Sequence, residues 1–396
     1  MQIHMEKLIV AVGEALDIVE GELLGASTNH GKRAAILCAA MGRSLGLPEE
    51  ELRVLTAGAL LHDNALTEYI MAERQGKRHD PAMKLHCEYG QRNLEALLPG
   101  PASSGVIAYH HERADGNGPF GMKEGAIPAA AELIAIADSL DVANHFQTVK
   151  FYDLPEIRSG VSQQPGKQFS RRAVKAMLSV LDDDMLLLLR DESVKDTAER
   201  LLPPWPLDMD SRVVRDFAEM VIRIIDYKSA FTRRHSSGIA EKAFFMGEYY
   251  GRDTDEKAEL YLAAALHDLG KLAVPAAILE KQGSLTNGEF KTIKEHAYLT
   301  WKMLKDIKGL EDVCTWASNH HEKLDGSGYP FGKKGGELDF NSRLLACIDI
   351  YQALSEERPY HPERNHRETM EIMYDMAAKG LIDPGISADM DKAFGD

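Results

Sequence analysis

Residues 315–332 read TWASNHHEKLDGSGYPFG, and residues 105–121 read GVIAYHHERADGNGPFG. Each stretch runs from apolar residues into His-His-Glu and then Asp-Gly-x-Gly. Working outward, LTAGALLHDNAL (55–66) parallels LAAALHDLGKL (262–272), and KLHCEYG (84–90) parallels IKEHAYL (293–299). ELIAIADSLD (132–141) parallels RLLACIDIYQ (343–352), and NHGKRAAILCAAMG (29–42) parallels RHSSGIAEKAFFMG (234–247). The spacing excludes chance. His30 to His235 and His62 to His267 are shifts of 205; His86 to His296 and His110 to His320 are shifts of 210; Asp138 to Asp349 is a shift of 211. Anchors in constant order at near-constant offset mark a duplicated domain.

The rest of the chain agrees with two domains. Its 396 residues exceed one compact core at ~150 residues per domain. A composition of 44% hydrophobic and 27% charged residues is that of a soluble globular protein. Apolar residues recur at spacings of three and four in 51–62, 90–98, 212–225, 258–267 and 366–378, without sustained strand alternation. The expected fold is all-α: two tandem helical bundles, over residues 1–200 and 210–396. Between them LLPPWPLDMDS (201–211) cannot be helix interior, and Asp210 or Ser211 is placed to cap the next helix. SGVSQQPGKQ (159–168) reads as a polar loop, Asp182–Asp184 as a solvated helix start, and Leu186–Leu189 as packing between domains.

A net charge of −16 argues against a partner made of duplex nucleic acid, which demands clustered Lys and Arg. No apolar run reaches the ~20 residues of a membrane span, and no leader pattern opens the chain. Cys38, Cys87, Cys314 and Cys347 form no CxxC pair and read as buried, reduced thiols. The chain therefore reads as cytoplasmic.

Chemistry concentrates in the repeated residues. The second copy sets His235, His267, Asp268, His296, His320, His321 and Asp349 within 115 residues, the ligand types of a first-row metal site. A single histidine is more often structural; two ordered copies of the whole set are hard to explain that way. Neighbouring residues on a helix point ~100° apart, so each His-Asp or His-His pair reaches two nearby metals, or one metal and a bridging position. Asp268 is the natural bridge. Two metals ~3.5–4 Å apart hold a hydroxide at neutral pH and stabilise in-line displacement at phosphorus. Lys271, three and four residues past the His-Asp pair, shares their face and would meet a phosphate oxygen.

On these residues the second half resembles an HD-GYP domain, a subgroup of the HD phosphohydrolase superfamily. The matching blocks are FTRRHS (231–236), HDLGKLAVP (267–275), IKEH (293–296), HHEKLDGSGYP (320–330), ACIDIYQAL (346–354) and ERPY (357–360). The resemblance implies an α-helical bundle with a bi- or trinuclear metal centre. It also implies a phosphodiesterase acting on cyclic dinucleotides, either cyclic di-GMP or the mixed GMP–AMP ring, through a metal-bridging hydroxide. Trinuclear members place a Glu four residues before the first ligand His; here that residue is Phe231, which favours two divalent ions, iron or manganese. Arg358 resembles the family's substrate-contacting arginine. A signalling-protein partner or a homodimer is compatible with the family, whose DGSGYP loop lies beside the site.

The first copy keeps His30, His62, Asp63, His86, His110, His111 and Asp138, but Leu66 stands where the second has Lys271. It also lacks the Tyr of GYP, and DVANHF (141–146) replaces the ERPY region. Three readings stay open for it: metal-bound and weakly active, metal-free and regulatory, or active on another phosphorylated substrate. As a whole the chain reads as a phosphodiesterase joined to a diverged regulatory copy. The rivals are an HD nucleotidase acting on mononucleotides and a non-catalytic binding or scaffold protein.

Overall fold

The computed structural model describes residues 2–24, 28–66, 81–98, 100–227, 235–281, 283–356 and 364–395. The chain divides into two compact units, residues 4–206 and residues 207–396 together with 1–3. Among the described residues the only sheet is a two-stranded ribbon, β1 (Gln2–His4) and β2 (Pro206–Asp208). The other regular elements of the described residues are helices, as the apolar spacing predicts. No described helix is long and apolar enough to cross a membrane.

The first unit opens with α1 (Met5–Leu24), α2 (His30–Ser44), α3 (Glu49–Leu60), α4 (Pro81–Leu97) and α5 (Ala129–Asn144). Helix α5 buries Leu133, Ile134, Ile136, Ala137 and Leu140, apolar on nearly every side, as a helix at the centre of a bundle must be. Four shorter helices follow: α6 (Leu154–Ser162), α7 (Arg171–Val180), α8 (Asp183–Leu188) and α9 (Val194–Leu201). Helix α6 runs through Ser162, so only the end of the expected loop at 159–168 is irregular. Asp182 caps α8 by accepting the Met185 amide at 2.8 Å. Leu186 and Leu189 are buried, while Leu187 is exposed.

The second unit repeats the plan. Its helices are α10 (Ser211–Tyr227), α11 (His235–Tyr249), α12 (Thr254–Leu266), α13 (Ala276–Leu279), α14 (Asn287–Leu304), α15 (Glu311–Ser318), α16 (Phe340–Ser355), α17 (His366–Ala378) and α18 (Pro384–Phe394). Asp210 caps α10, accepting the amides of Arg212 and Val213 at 2.9 Å. Reciprocal side chain–backbone caps start α12 (Asp253 with Glu256), α14 (Thr286 with Glu289) and α17 (Asn365 with Glu368). Equivalent helices match closely: α2 and α11 each have 15 residues and begin on a repeated histidine. Helices α5 and α16 each have 16 residues and carry Asp138 or Asp349 at the tenth. All four cysteines are buried and free.

Candidate metal centre

In the second unit the seven donors arrive from five places. His235 is the first residue of α11, His296 lies within α14, and Asp349 lies within the buried central helix α16. The two adjacent pairs do not sit on helix faces as the spacing suggested. His267 and Asp268 follow the last residue of α12, and His320–His321 follow α15 in a turn. At a helix end the chain leaves the helical path, so neighbouring side chains converge instead of diverging by a fixed angle.

These turns also set the histidine tautomers. The Nδ1 of His267 lies 2.6 Å from the Ala264 carbonyl, that of His296 2.6 Å from Ile293 O, and that of His320 2.6 Å from Ala317 O. A ring that donates Nδ1–H to a carbonyl three residues back presents Nε2 as a lone pair. His235 is oriented differently: its Nδ1 faces Glu356 at 3.0 Å and its Nε2 faces Asp349 at 3.2 Å.

The lone pairs converge. His235, His267 and Asp268 form one group, and His296, His320 and His321 a second, with one donor atom from each residue of a group within 4.8 Å of the others. Asp268 joins the two. Its Oδ2 is 3.1 Å from His267 Nε2, and its Oδ1 is 3.4 Å from His296 Nε2 and 4.0 Å from His320 Nε2. Asp349 stands between them on the other side, 3.2 Å from His235 and 3.6 Å from His321. Among the described residues, His267 Nε2 and Asp268 Oδ1 are buried without a hydrogen-bond partner. Buried polar atoms left open are costly unless something else fills them, and a cation fits both.

The electrostatics suit a cation too. Burial holds the His320 imidazole well below its usual range, pushes His296 down to about 4 and His321 down to about 3, so these rings stay neutral. Burial would raise the Asp268 carboxyl, but the neighbouring His267 ring and the Lys271 ammonium outweigh it and hold it well below the usual carboxylate range. Lys271 Nζ lies 2.6 Å from Asp268 Oδ2. It does so from a 3-10 turn, Leu269–Ala273, rather than from a continuous α-helix.

Two supports escaped the sequence reading. Glu322, the third residue of His-His-Glu, points away from the donors and ties down the DGSG loop, accepting Phe331 N at 2.7 Å, Gly332 N at 3.1 Å and Lys333 N at 3.0 Å. Glu112 does the same in the first unit for Phe120 and Met122. Gly270 lets the 3-10 turn press on α14: a Cβ there would fall 2.0 Å from the His296 carbonyl oxygen. Arg358 and Phe231 lie outside the described residues.

The first unit assembles its own seven. His30, His62 and Asp138 form one group, and Asp63, His86, His110 and His111 another. His86 Nε2 is 3.0 Å from Asp63 Oδ1, and His30 Nε2 is 3.2 Å from Asp138 Oδ1. The surroundings have been rebuilt. His30 Nδ1 meets Asp141 at 2.7 Å, and the fully buried Arg33 clamps the other oxygen of Asp141 at 2.7 Å. By the offsets, Arg33 stands where the second unit has Gly238, and Asp141 where it has Gln352. A Cβ on Gly238 would lie 2.3 Å from the Gln352 amide, so that side chain would have to shift to admit one.

A helical chain built twice around buried His-Asp clusters is an HD-domain protein. Family models described as HD domain match residues 28–143 and 219–386, and the chain belongs to that family with two HD domains in tandem. It is 28% identical over 391 residues to the 3'3'-cGAMP-specific phosphodiesterase 1 of Vibrio cholerae, across 96% of this chain and 90% of that protein. It is 29% identical over 234 residues to the cyclic di-GMP phosphodiesterase response regulator RpfG of Xanthomonas campestris, across 58% of this chain and 60% of that one. The crystal structure of a cyclic GMP-AMP specific phosphodiesterase of V. cholerae (V-cGAP3) has the same fold. It superposes with a TM-score of 0.68 at 23% identity, covering 100% of this chain and 98% of that chain.

Proposed function

We propose that the second unit is a metal-dependent phosphodiesterase that opens a cyclic dinucleotide, with the mixed 3'3'-cyclic GMP–AMP ring as its preferred substrate. One observation carries the reading. The relative matched along nearly the full tandem is named as specific for that ring, and the response regulator named for cyclic di-GMP matches little more than half of the chain. The HD-GYP blocks of the second half and its converged donors support the reaction class.

His235, His267, Asp268, His296, His320, His321 and Asp349 would hold two divalent ions, iron or manganese. Such ions supply positive charge at the phosphate and make water a competent nucleophile at neutral pH. The chain's own residues do the rest. Carbonyls of α12, α14 and α15 fix the rings, and the Asp268 and Asp349 carboxylates stay ionised. The Lys271 ammonium meets the charge that grows on the phosphoryl oxygens in the transition state. Water adds to one phosphorus, the P–O bond to the neighbouring ribose breaks, and a linear dinucleotide results. Arg358 is proposed to contact a base or phosphate.

The first unit is proposed to regulate rather than hydrolyse, because Leu66 supplies no cation where Lys271 stands. Purified protein should be offered the mixed ring, cyclic di-GMP and a panel of mononucleotides, with product read by chromatography. Faster opening of the mixed ring is expected. Preference for cyclic di-GMP overturns the specificity, mononucleotide turnover alone makes this a nucleotidase, and no turnover with bound metal makes it a binding protein.

A further inference from the structure

The first unit contains an acidic side chain that its repeated motifs do not account for. Glu20, in the last turns of α1, is 4% exposed, and its Oε2 has no hydrogen-bond partner among the described residues. It is not stranded in apolar packing. It lines a cavity of about 450 Å³ together with His30, Asp63, His86, His111 and Asp138, donors from both of that unit's groups. The charged groups that act on it are Asp63, Asp17, His30 and Asp138. A buried carboxylate with an unpartnered oxygen, in a cavity wall that also carries Asp63 and Asp138, asks for a cation.

The second unit shows why this position is different. There Asp226, nine residues before His235, is engaged by the Ser236 hydroxyl at 2.6 Å. In the first unit the residue matching Ser236 is Gly31, which has no hydroxyl and donates its amide to Asp17 at 2.7 Å instead. By the same offset Asp226 matches Gly21, and Glu20 matches Ile225. The first unit thus buries a carboxylate at a position where the second buries an isoleucine. The same cavity is lined by Leu66, where the other unit has Lys271. One copy combines two donor aspartates with a lysine; the other combines two donor aspartates with a glutamate.

We infer that Glu20 is a further metal ligand of the first unit, so that this half is a carboxylate-rich divalent-cation site of the kind that suits manganese, built to hold the ion and not to bind phosphate. The inference rests on reading the first unit's donors as a metal site, and the experiment separates the two. Manganese bound per full-length chain is measured by elemental analysis and by titration, for the parent, Glu20→Gln and Asp63→Asn. Both variants are expected to bind manganese at the weakest-held position roughly tenfold or more less tightly, or to lose about one ion per chain. Metal-free Glu20→Gln should melt no lower than the parent, because Oε2 makes no hydrogen bond to lose, while the rise in melting temperature on adding manganese should shrink. Loss in Asp63→Asn with none in Glu20→Gln overturns Glu20 as a ligand and leaves the site standing. No loss in either variant overturns both. A lower metal-free melting temperature with unchanged manganese binding makes Glu20 a structural residue and also overturns the inference. Hydrolysis of the mixed ring, recorded in parallel, bears only on the second unit.

Discussion

Lys271 and Leu66 occupy matching positions beside matching donors, so exchanging one for the other isolates a single charge. Lys271→Leu should lower turnover of the cyclic dinucleotide by roughly 10²–10³-fold, the usual cost of removing a group that stabilises transition-state charge. Bound metal should persist, since an ammonium offers no lone pair to a cation and all seven proposed donors remain. Normal turnover in this variant would remove both the role of Lys271 and the reason for calling the first unit non-hydrolytic. Asp268→Ala acts on the metal itself. It deletes the carboxylate common to both donor groups, and elemental analysis should find fewer ions with activity lost. The helical circular dichroism should persist, because Asp268 lies beyond the end of α12. Gly270→Ala tests the packing behind the site. Its Cβ would overlap the His296 carbonyl oxygen, and overpacking of this kind costs about 1–3 kcal/mol. Thermal melting should fall, and metal affinity with it, as His296 is displaced.

At the level of elements, the turns do as much as the helices. Glu322 gathers three backbone amides of the loop after DGSG on its two oxygens. Glu322→Gln turns one acceptor into a donor facing an amide. Hydrogen exchange over residues 331–333 should quicken, with helix α14 unaffected; unchanged exchange would show that the loop is held by other means. The same distinction marks what the sequence made legible. Helices, the duplication and the fourteen repeated His and Asp positions could be read from periodicity and constant offsets, because packing a helix face and copying a domain both repeat at fixed spacing. The placement of His267–Asp268 and His320–His321 at helix ends could not. Period-based reading extends a helix until a breaker intervenes, and carbonyl caps leave no pattern in residue type. Glu356 and Asp141 were missed for a related reason. Each meets its histidine from more than a hundred residues away, with no motif to announce it.

For the whole molecule, the two units make separate predictions. A fragment from residue 207 to the end retains all seven donors of the second copy, Lys271 and the Asp210 cap, and should hydrolyse the cyclic dinucleotide. A fragment of residues 4–206 should bind metal and hydrolyse little or nothing. Comparable specific activity in both would make this a two-site enzyme. Small residues at one contact give the difference between the units a direction. In the second unit Gly270 donates its amide to the Thr300 hydroxyl at 3.0 Å, and that hydroxyl caps the His267 carbonyl at 3.0 Å. In the first unit the matching residues are Ala65 and Gly90, with the bulk moved to the other partner. Asn64 crosses to the Gly90 carbonyl at 3.2 Å in place of the lost hydroxyl. Leu66→Lys alone should therefore restore no hydrolysis. A lineage that has made such paired exchanges has no single-step route back, because each reversal taken alone leaves either a hole or a clash beside a histidine. If the first copy has left catalysis as proposed, that loss would act as a ratchet, and the copy would be free to evolve toward a purpose of its own.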